Sequence, residues 1–281
     1  MIDNSSYQLT GNRLRILAPL LCSENEYNPN SAEGLLSVSG SKNDEAQFNV
    51  EFYNPDGSKD AMCGNGGRCA VAYALDHGFI DKKENDEIKF SMSGDIYKSI
   101  HTKNTIKLYF PPPRKMQRDI RILSDEMVIK GDHFDVGSEH FVIHKENIKE
   151  YKDLSINSID FINFAKPVRH NEKFKPKGIN VSLYQKENTG NIRFRTFERG
   201  VEAETGACGT GAISVAISAV FRKMADFPVI LIPPSGQELK VDMDGNFPSD
   251  IRSVILEGGA VILDEYEVNI PDEIIYGNQY E

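Results

Sequence analysis

Two stretches decide how this chain folds: residues 63–75, CGNGGRCAVAYAL, and residues 208–220, CGTGAISVAISAV. Each is a Cys-Gly-x-Gly followed by a run of small and apolar residues. Each is preceded by the same grammar. Residues 46–54, AQFNVEFYN, set Phe48, Val50 and Phe52 against Gln47, Asn49 and Glu51 in the period of a half-buried strand. Residues 191–199, NIRFRTFER, repeat the pattern with Ile192 and Phe194 against Arg193 and Arg195. A polar, glycine-containing loop joins strand to cysteine in both copies, PDGSKDAM at 55–62 and GVEAETGA at 200–207.

The copies begin about half a chain length apart, which points to duplicated domains rather than a solenoid with its period of about 20–50 residues. The runs 68–75 and 212–221 are apolar nearly all round and predict helices buried on every side. Gly78 caps the end of the first. Alternating stretches at 105–110 and 180–184 predict further strands, and Pro111-Pro112-Pro113 marks an interdomain hinge. The expected class is α+β: two similar halves, each a strand-rich sheet or barrel wrapped around a buried central helix. The halves are expected at residues 1–114 with 263–281, and at 115–262.

Bulk composition narrows the partners. The 281 residues suffice for two ordinary domains with real cores. Lys and Arg number 32 against 42 Asp and Glu, a formal charge of −10, which argues against binding nucleic acid or an anionic membrane surface. The lysines at 173, 175 and 177 read as a solvated loop. No apolar run approaches the roughly 18 residues that span a bilayer. Residues 14–22, LRILAPLLC, faintly resemble a lipoprotein signal, but Arg15 and Pro19 interrupt the run and Leu21 is too bulky for a cleavage site. A cytoplasmic protein is expected, with Cys22, Cys63, Cys69 and Cys208 as thiols. Cys22 and Cys69 read as packing residues. Cys63 and Cys69 lack zinc-ligand spacing and no histidine cluster completes them, so no metal is expected.

Cys63 and Cys208 read differently, because packing alone does not demand Cys-Gly-x-Gly twice. Each thiol falls where a loop ends and a helix begins. A helix N-terminus carries unsatisfied N–H groups and partial positive charge, which favour a thiolate and can hold a carboxylate. If the halves face one another, a substrate carboxylate held between the two helix ends has a thiol on each side of its α-carbon. Racemisation needs that arrangement: a base on one face, an acid on the other, and donors for the carboxylate as it gains enolate character. No pyridoxal-type cofactor is needed.

At these residues the chain resembles the diaminopimelate epimerase family of cofactor-independent amino-acid epimerases in lysine and peptidoglycan biosynthesis. Residues 54–58 with 62–69 resemble its first signature, and residues 198–211 its second. The resemblance implies two pseudo-symmetric α+β domains around central helices, and a homodimer. It implies Cys63 and Cys208 as the catalytic thiols, and Gly64, Asn65, Gly209 and Thr210 as holders of the reacting carboxylate. It implies Asn54, Asn180, Glu198 and Arg199 at the substrate's distal end, with Asn12 and His140 also among the substrate-binding positions. Arg13, Gly34 and Ser138-Glu139 depart from the family pattern, in the expected pocket rather than in the proton-transfer machinery.

Three functions follow for testing. The first is interconversion of LL- and meso-diaminopimelate. The second keeps the chemistry but takes another amino acid, such as histidine. The third is a thiol redox or binding protein in which Cys63 and Cys208 form a disulfide.

Overall fold

The computed structural model describes residues 1–25, 31–41, 44–59 and 62–273. The chain divides into two compact units, Met1–Leu108 with Ala260–Glu281, and Tyr109–Gly259. Pro111–Pro113 lies a few residues past the first boundary, between two strands.

The first unit contains β1 (Ile2–Asp3), α1 (Gly11–Cys22), β2 (Leu35–Gly40), β3 (Phe48–Tyr53), α2 (Gly64–Asp76), β4 (Glu87–Met92) and β5 (Asp95–His101), with β6 (Ile106–Phe110) carrying the chain across the boundary. The strands bond in sequence order, β1 parallel to β2 and β3 parallel to β4, the pairs β2/β3 and β4/β5 antiparallel. The alternation read in β6 is the alternation of its burial. In β3, Phe48 and Val50 are buried as expected, but Phe52 is only half-buried and Tyr53 is buried instead, packed against α1. Helix α1 seats Leu14, Leu17, Ala18 and Cys22 against Leu35 and Tyr53.

Helix α2 packs on β2 and β3. It is less uniformly buried than its apolar sequence predicts. Cys69, Ala72 and Leu75 are partly exposed, while Arg68 is buried. The helix lets its glycines make the closest contacts: a Cβ on Gly67 would stand 2.7 Å from Met62 Cε and 2.8 Å from Leu108 Cδ2. Gly78, with φ of +70°, follows the cap residue His77 and lets Phe79 N–H return to Ala74 O, as the sequence predicts.

The second unit contains β7 (Lys115–Ser124), β8 (Met127–Asp135), β9 (Glu139–His144), α3 (Phe161–Arg169), β10 (Asn180–Lys186), β11 (Ile192–Glu198), β12 (Ala203–Glu204), α4 (Gly209–Phe221), β13 (Val229–Ile232), β14 (Leu239–Asn246) and β15 (Asp250–Gly258). The order across the sheet is β7-β8-β9-β10-β11-β13-β14-β15, with β12 paired to β11. Helix α4 contacts β8 to β11 and β13 to β15, so this sheet wraps around it, and Gly209 to Ala219 are all buried. Strand β10 is buried through its first five residues rather than on alternate ones, because α3 packs on it as well as α4.

The far end of α4 is fastened inside the unit. Asp132, fully buried, accepts from Ser218 Oγ at 2.7 Å, from Arg222 Nη2 at 2.8 and 2.9 Å, and from Asp119 N–H at 3.0 Å. Among the described residues no helix is long and apolar enough to cross a membrane. The fold is strand-rich α+β.

Candidate active site

Both Cys-Gly-x-Gly motifs start a helix, and in both the cysteine is the N-cap with extended backbone. Gly66 N–H donates to Cys63 Sγ at 3.3 Å, and Gly211 N–H donates to Cys208 Sγ at 3.4 Å. The sulfur takes the position of the serine or aspartate oxygen in an ordinary cap, satisfying one orphan N–H of the first turn. An N–H aimed at sulfur, at the positive end of a helix, favours thiolate over thiol. Glycine is needed there for space. A Cβ on Gly211 would lie 2.6 Å from Thr196 Oγ1 and 3.2 Å from Cys208 Sγ. All four cysteines stand as thiols. Burial pushes the Cys22 and Cys69 thiols up, away from the anion.

Around Cys63, Gly64 is buried and Asn65 half-buried in the first turn of α2. Asn65 Oδ1 accepts from Arg68 Nη2 at 2.8 Å. Asn54 lies in the turn after β3, where its Nδ2 donates to Ser58 Oγ at 3.0 Å and its carbonyl takes Gly57 N–H at 2.9 Å. That turn fits closely on α1, since a Cβ on Gly57 would fall 2.3 Å from Arg15 O. Asn12 is exposed on α1, with Arg13 beside it.

Around Cys208, Thr210 Oγ1 lies 3.6 Å from the sulfur and 3.0 Å from His140 Nε2. His140 Nδ1 faces Ser182 Oγ at 3.3 Å, and Ser182 Oγ faces Thr196 Oγ1 at 3.0 Å. His140 is fully buried, and burial first, then the positive charges of Arg199 and His133, push its imidazole down to about 3. It is neutral at any ordinary pH, so it accepts or donates through Thr210 without bringing charge to the sulfur.

A third group joins β9, β10 and the end of β11. Asn180 Nδ2 donates to Ser138 Oγ at 2.7 Å and to Glu139 O at 2.8 Å, and its Oδ1 accepts Arg199 N–H at 2.8 Å. Glu198 accepts from Thr205 Oγ1. Gly34 packs edge-on to Phe52, whose ring Cε2 would be 2.4 Å from a Cβ at that position.

The structure thus gathers Cys63, Gly64 and Asn65 at the head of α2, and Cys208, Gly209, Thr210 and His140 at the head of α4. Asn180 with Arg199 forms a further cluster in the second unit. Sequence reasoning assigned no role to Ser182 and Thr196, although they face each other across β10 and β11. Two small hydroxyls at buried positions of neighbouring strands are the available signal. It also passed over Arg68, a lone charge in an apolar run. Among the described residues one group of three could hold a metal, Asp76, His77 and Glu265, all exposed, at the other end of α2 from Cys63.

The sequence profile of one family, diaminopimelate epimerase, matches residues 1–114 and 134–261. The chain belongs to the diaminopimelate epimerase family. The diaminopimelate epimerase of Aquifex aeolicus is 33% identical over 246 residues, 87% of this chain and 82% of that one. That of a Hydrogenobaculum species is 32% identical over 228 residues, 81% and 77% of the two chains. Among solved structures, a hydroxyproline epimerase from Agrobacterium vitis with bound trans-4-hydroxy-L-proline superposes with a TM-score of 0.65 at 15% identity, covering 88% of this chain and 76% of its own. A phenazine biosynthesis protein from Bacillus anthracis gives 0.66 at 13% identity, covering 95% and 91%. These two share the fold. Membership of the diaminopimelate epimerase family makes this chain an isomerase, an amino-acid epimerase.

Proposed function

We propose that the protein interconverts LL- and meso-diaminopimelate without a cofactor, using Cys63 and Cys208 as acid and base on opposite faces of one α-carbon. The observation that carries this reading is the matched pair of caps: each sulfur accepts a first-turn N–H of its own helix, from Gly66 and from Gly211. Packing does not require that device once, let alone twice.

The chemistry balances without any redox partner. One thiolate takes the α-proton, so the C–H bond breaks, an S–H bond forms, and the electron pair moves into the carboxylate as an enolate. The other thiol then delivers its proton to the opposite face and is left as thiolate. The enolate charge needs donors already in position, and helix N-terminal N–H groups at Gly64, Asn65, Gly209 and Thr210 are of that kind. Glu198 and Arg199 suit the ammonium and carboxylate at the distal end, a guanidinium binding carboxylate through two parallel bonds. The family resemblance further supports lysine and peptidoglycan biosynthesis as the setting, and a cytoplasmic homodimer as the working form.

The test is a coupled assay started from either isomer, with Cys63→Ser and Cys208→Ser beside the unaltered protein. Turnover that disappears in both variants supports the reading. A variant that keeps near-full turnover overturns the two-thiol mechanism, and no turnover by the unaltered protein overturns the substrate.

A second reading keeps the chemistry with another amino acid, such as histidine. It is favoured by Asn180, whose carboxamide is engaged by Ser138, Glu139 and Arg199, and by the packing of Gly34 on Phe52. Both alter the expected far end of the pocket and leave the thiols untouched.

A further inference from the structure

Arg68 is the one charged residue in the α2 sequence between Gly64 and Leu75, and its side chain is buried rather than turned to solvent. Taking a guanidinium out of water is costly, and burial holds Arg68 below the usual arginine range. Its geometry shows what the cation does there. Nη1 donates to Gly64 O at 3.2 Å, and Nη2 donates to Asn65 Oδ1 at 2.8 Å. These two acceptors belong to the first turn of α2, whose cap is Cys63. A carboxamide bound through its oxygen has its orientation fixed, because a flip would turn NH2 toward the guanidinium, donor against donor. With Oδ1 turned to Arg68, the opposite side of the Asn65 carboxamide carries N–H donors, the groups that bind a carboxylate. The guanidinium also lies close enough to Cys63 and Cys69 for either thiolate to favour its charge. By reciprocity the cation favours anionic sulfur and an anionic ligand at this helix end.

We propose that Arg68 is a positioning residue of the epimerase reaction: it locks the Asn65 carboxamide in the donor orientation that receives the substrate's reacting carboxylate. The proposal rests on the reading of Asn65 as a holder of that carboxylate. Arg68 itself touches no substrate and acts through Asn65.

A double-mutant cycle on the full-length protein tests it, with kcat and KM for the epimerised amino acid measured for Arg68→Met, Asn65→Ala and the double variant. Arg68→Met is expected to raise KM about tenfold in the native background and less than about twofold when Asn65 is already alanine. Arg68→Lys keeps the charge without the two-pronged donor, and is expected to recover only part of the loss. If Arg68→Met folds poorly, Arg68→Gln carries the same comparison. Equal, additive losses in both backgrounds, matched by equal falls in melting temperature, overturn the proposal and leave Arg68 a packing residue. An Asn65→Ala variant with unchanged KM instead overturns the underlying assignment of Asn65.

Discussion

His140 Nε2 and Thr210 Oγ1 lie 3.0 Å apart, both side chains buried, and the same hydroxyl stands 3.6 Å from Cys208 Sγ. A neutral imidazole therefore sits one hydroxyl away from a candidate catalytic sulfur. Thr210→Val removes the hydroxyl at constant volume and leaves Nε2 without that partner. Unfolding experiments should show a loss of about 1–3 kcal/mol, the cost of stranding a buried polar group. Turnover should fall with it, whereas Thr210→Ser should stay near the parent in both respects.

The buried imidazole has a signature in acid. Its ordinary value is 6.5, and in the folded protein it is pushed down to about 3. Between those values the unfolded chain binds a proton at His140 that the folded protein does not. Stability is therefore fully present above 6.5 and falls as the pH drops toward 3, with a slope of up to about 1.4 kcal/mol per pH unit from this group. Chemical denaturation across that window should show the slope reduced in a His140→Gln variant. An unchanged slope would show that His140 titrates normally.

The two caps differ in tolerance. A Cβ on Gly211 would lie 2.6 Å from Thr196 Oγ1, but on Gly66 its nearest neighbour is Leu36 Cδ2 at 3.2 Å. Gly211→Ala should therefore destabilise the protein and depress turnover far more than Gly66→Ala. Melting curves and initial rates of the two variants check the ranking.

Thiol reactivity should separate the cysteines. Burial pushes Cys22 and Cys69 away from the thiolate form, and a thiol must ionise to be alkylated. Near neutral pH, iodoacetamide followed by peptide mass mapping should label Cys63 ahead of both. Label arriving first on Cys22 or Cys69 would contradict the division between capping and packing thiols.

Much of this was legible because short-range patterns decide it. The alternation at residues 192–195 survives in β11 and that at residues 48–51 in β3, where Phe52 is half-buried and Tyr53 buried in its stead. Cys-Gly-x-Gly announced both helix starts, since capping is a matter of a few consecutive residues. What was not legible depends on partners distant in sequence. Residues 14–22 carry too little pattern to announce a helix, yet they form most of α1, held by contacts to Leu35 and Tyr53. That His140 meets Ser182 and Thr210 inside the unit depends on the pairing of β9 with β10, which no local pattern announces. The burial of Arg68 beside apolar neighbours is likewise invisible to periodicity, which puts charges outside.

The central claim is that two thiols exchange the α-proton of diaminopimelate. The most direct measurement is incubation in deuterium oxide with diaminopimelate and a panel of amino acids including histidine, read by NMR or mass spectrometry. The account predicts deuterium at an α-carbon of diaminopimelate, and none with the other amino acids. Diaminopimelate that keeps its α-protons while another amino acid exchanges, or while nothing does, would contradict it.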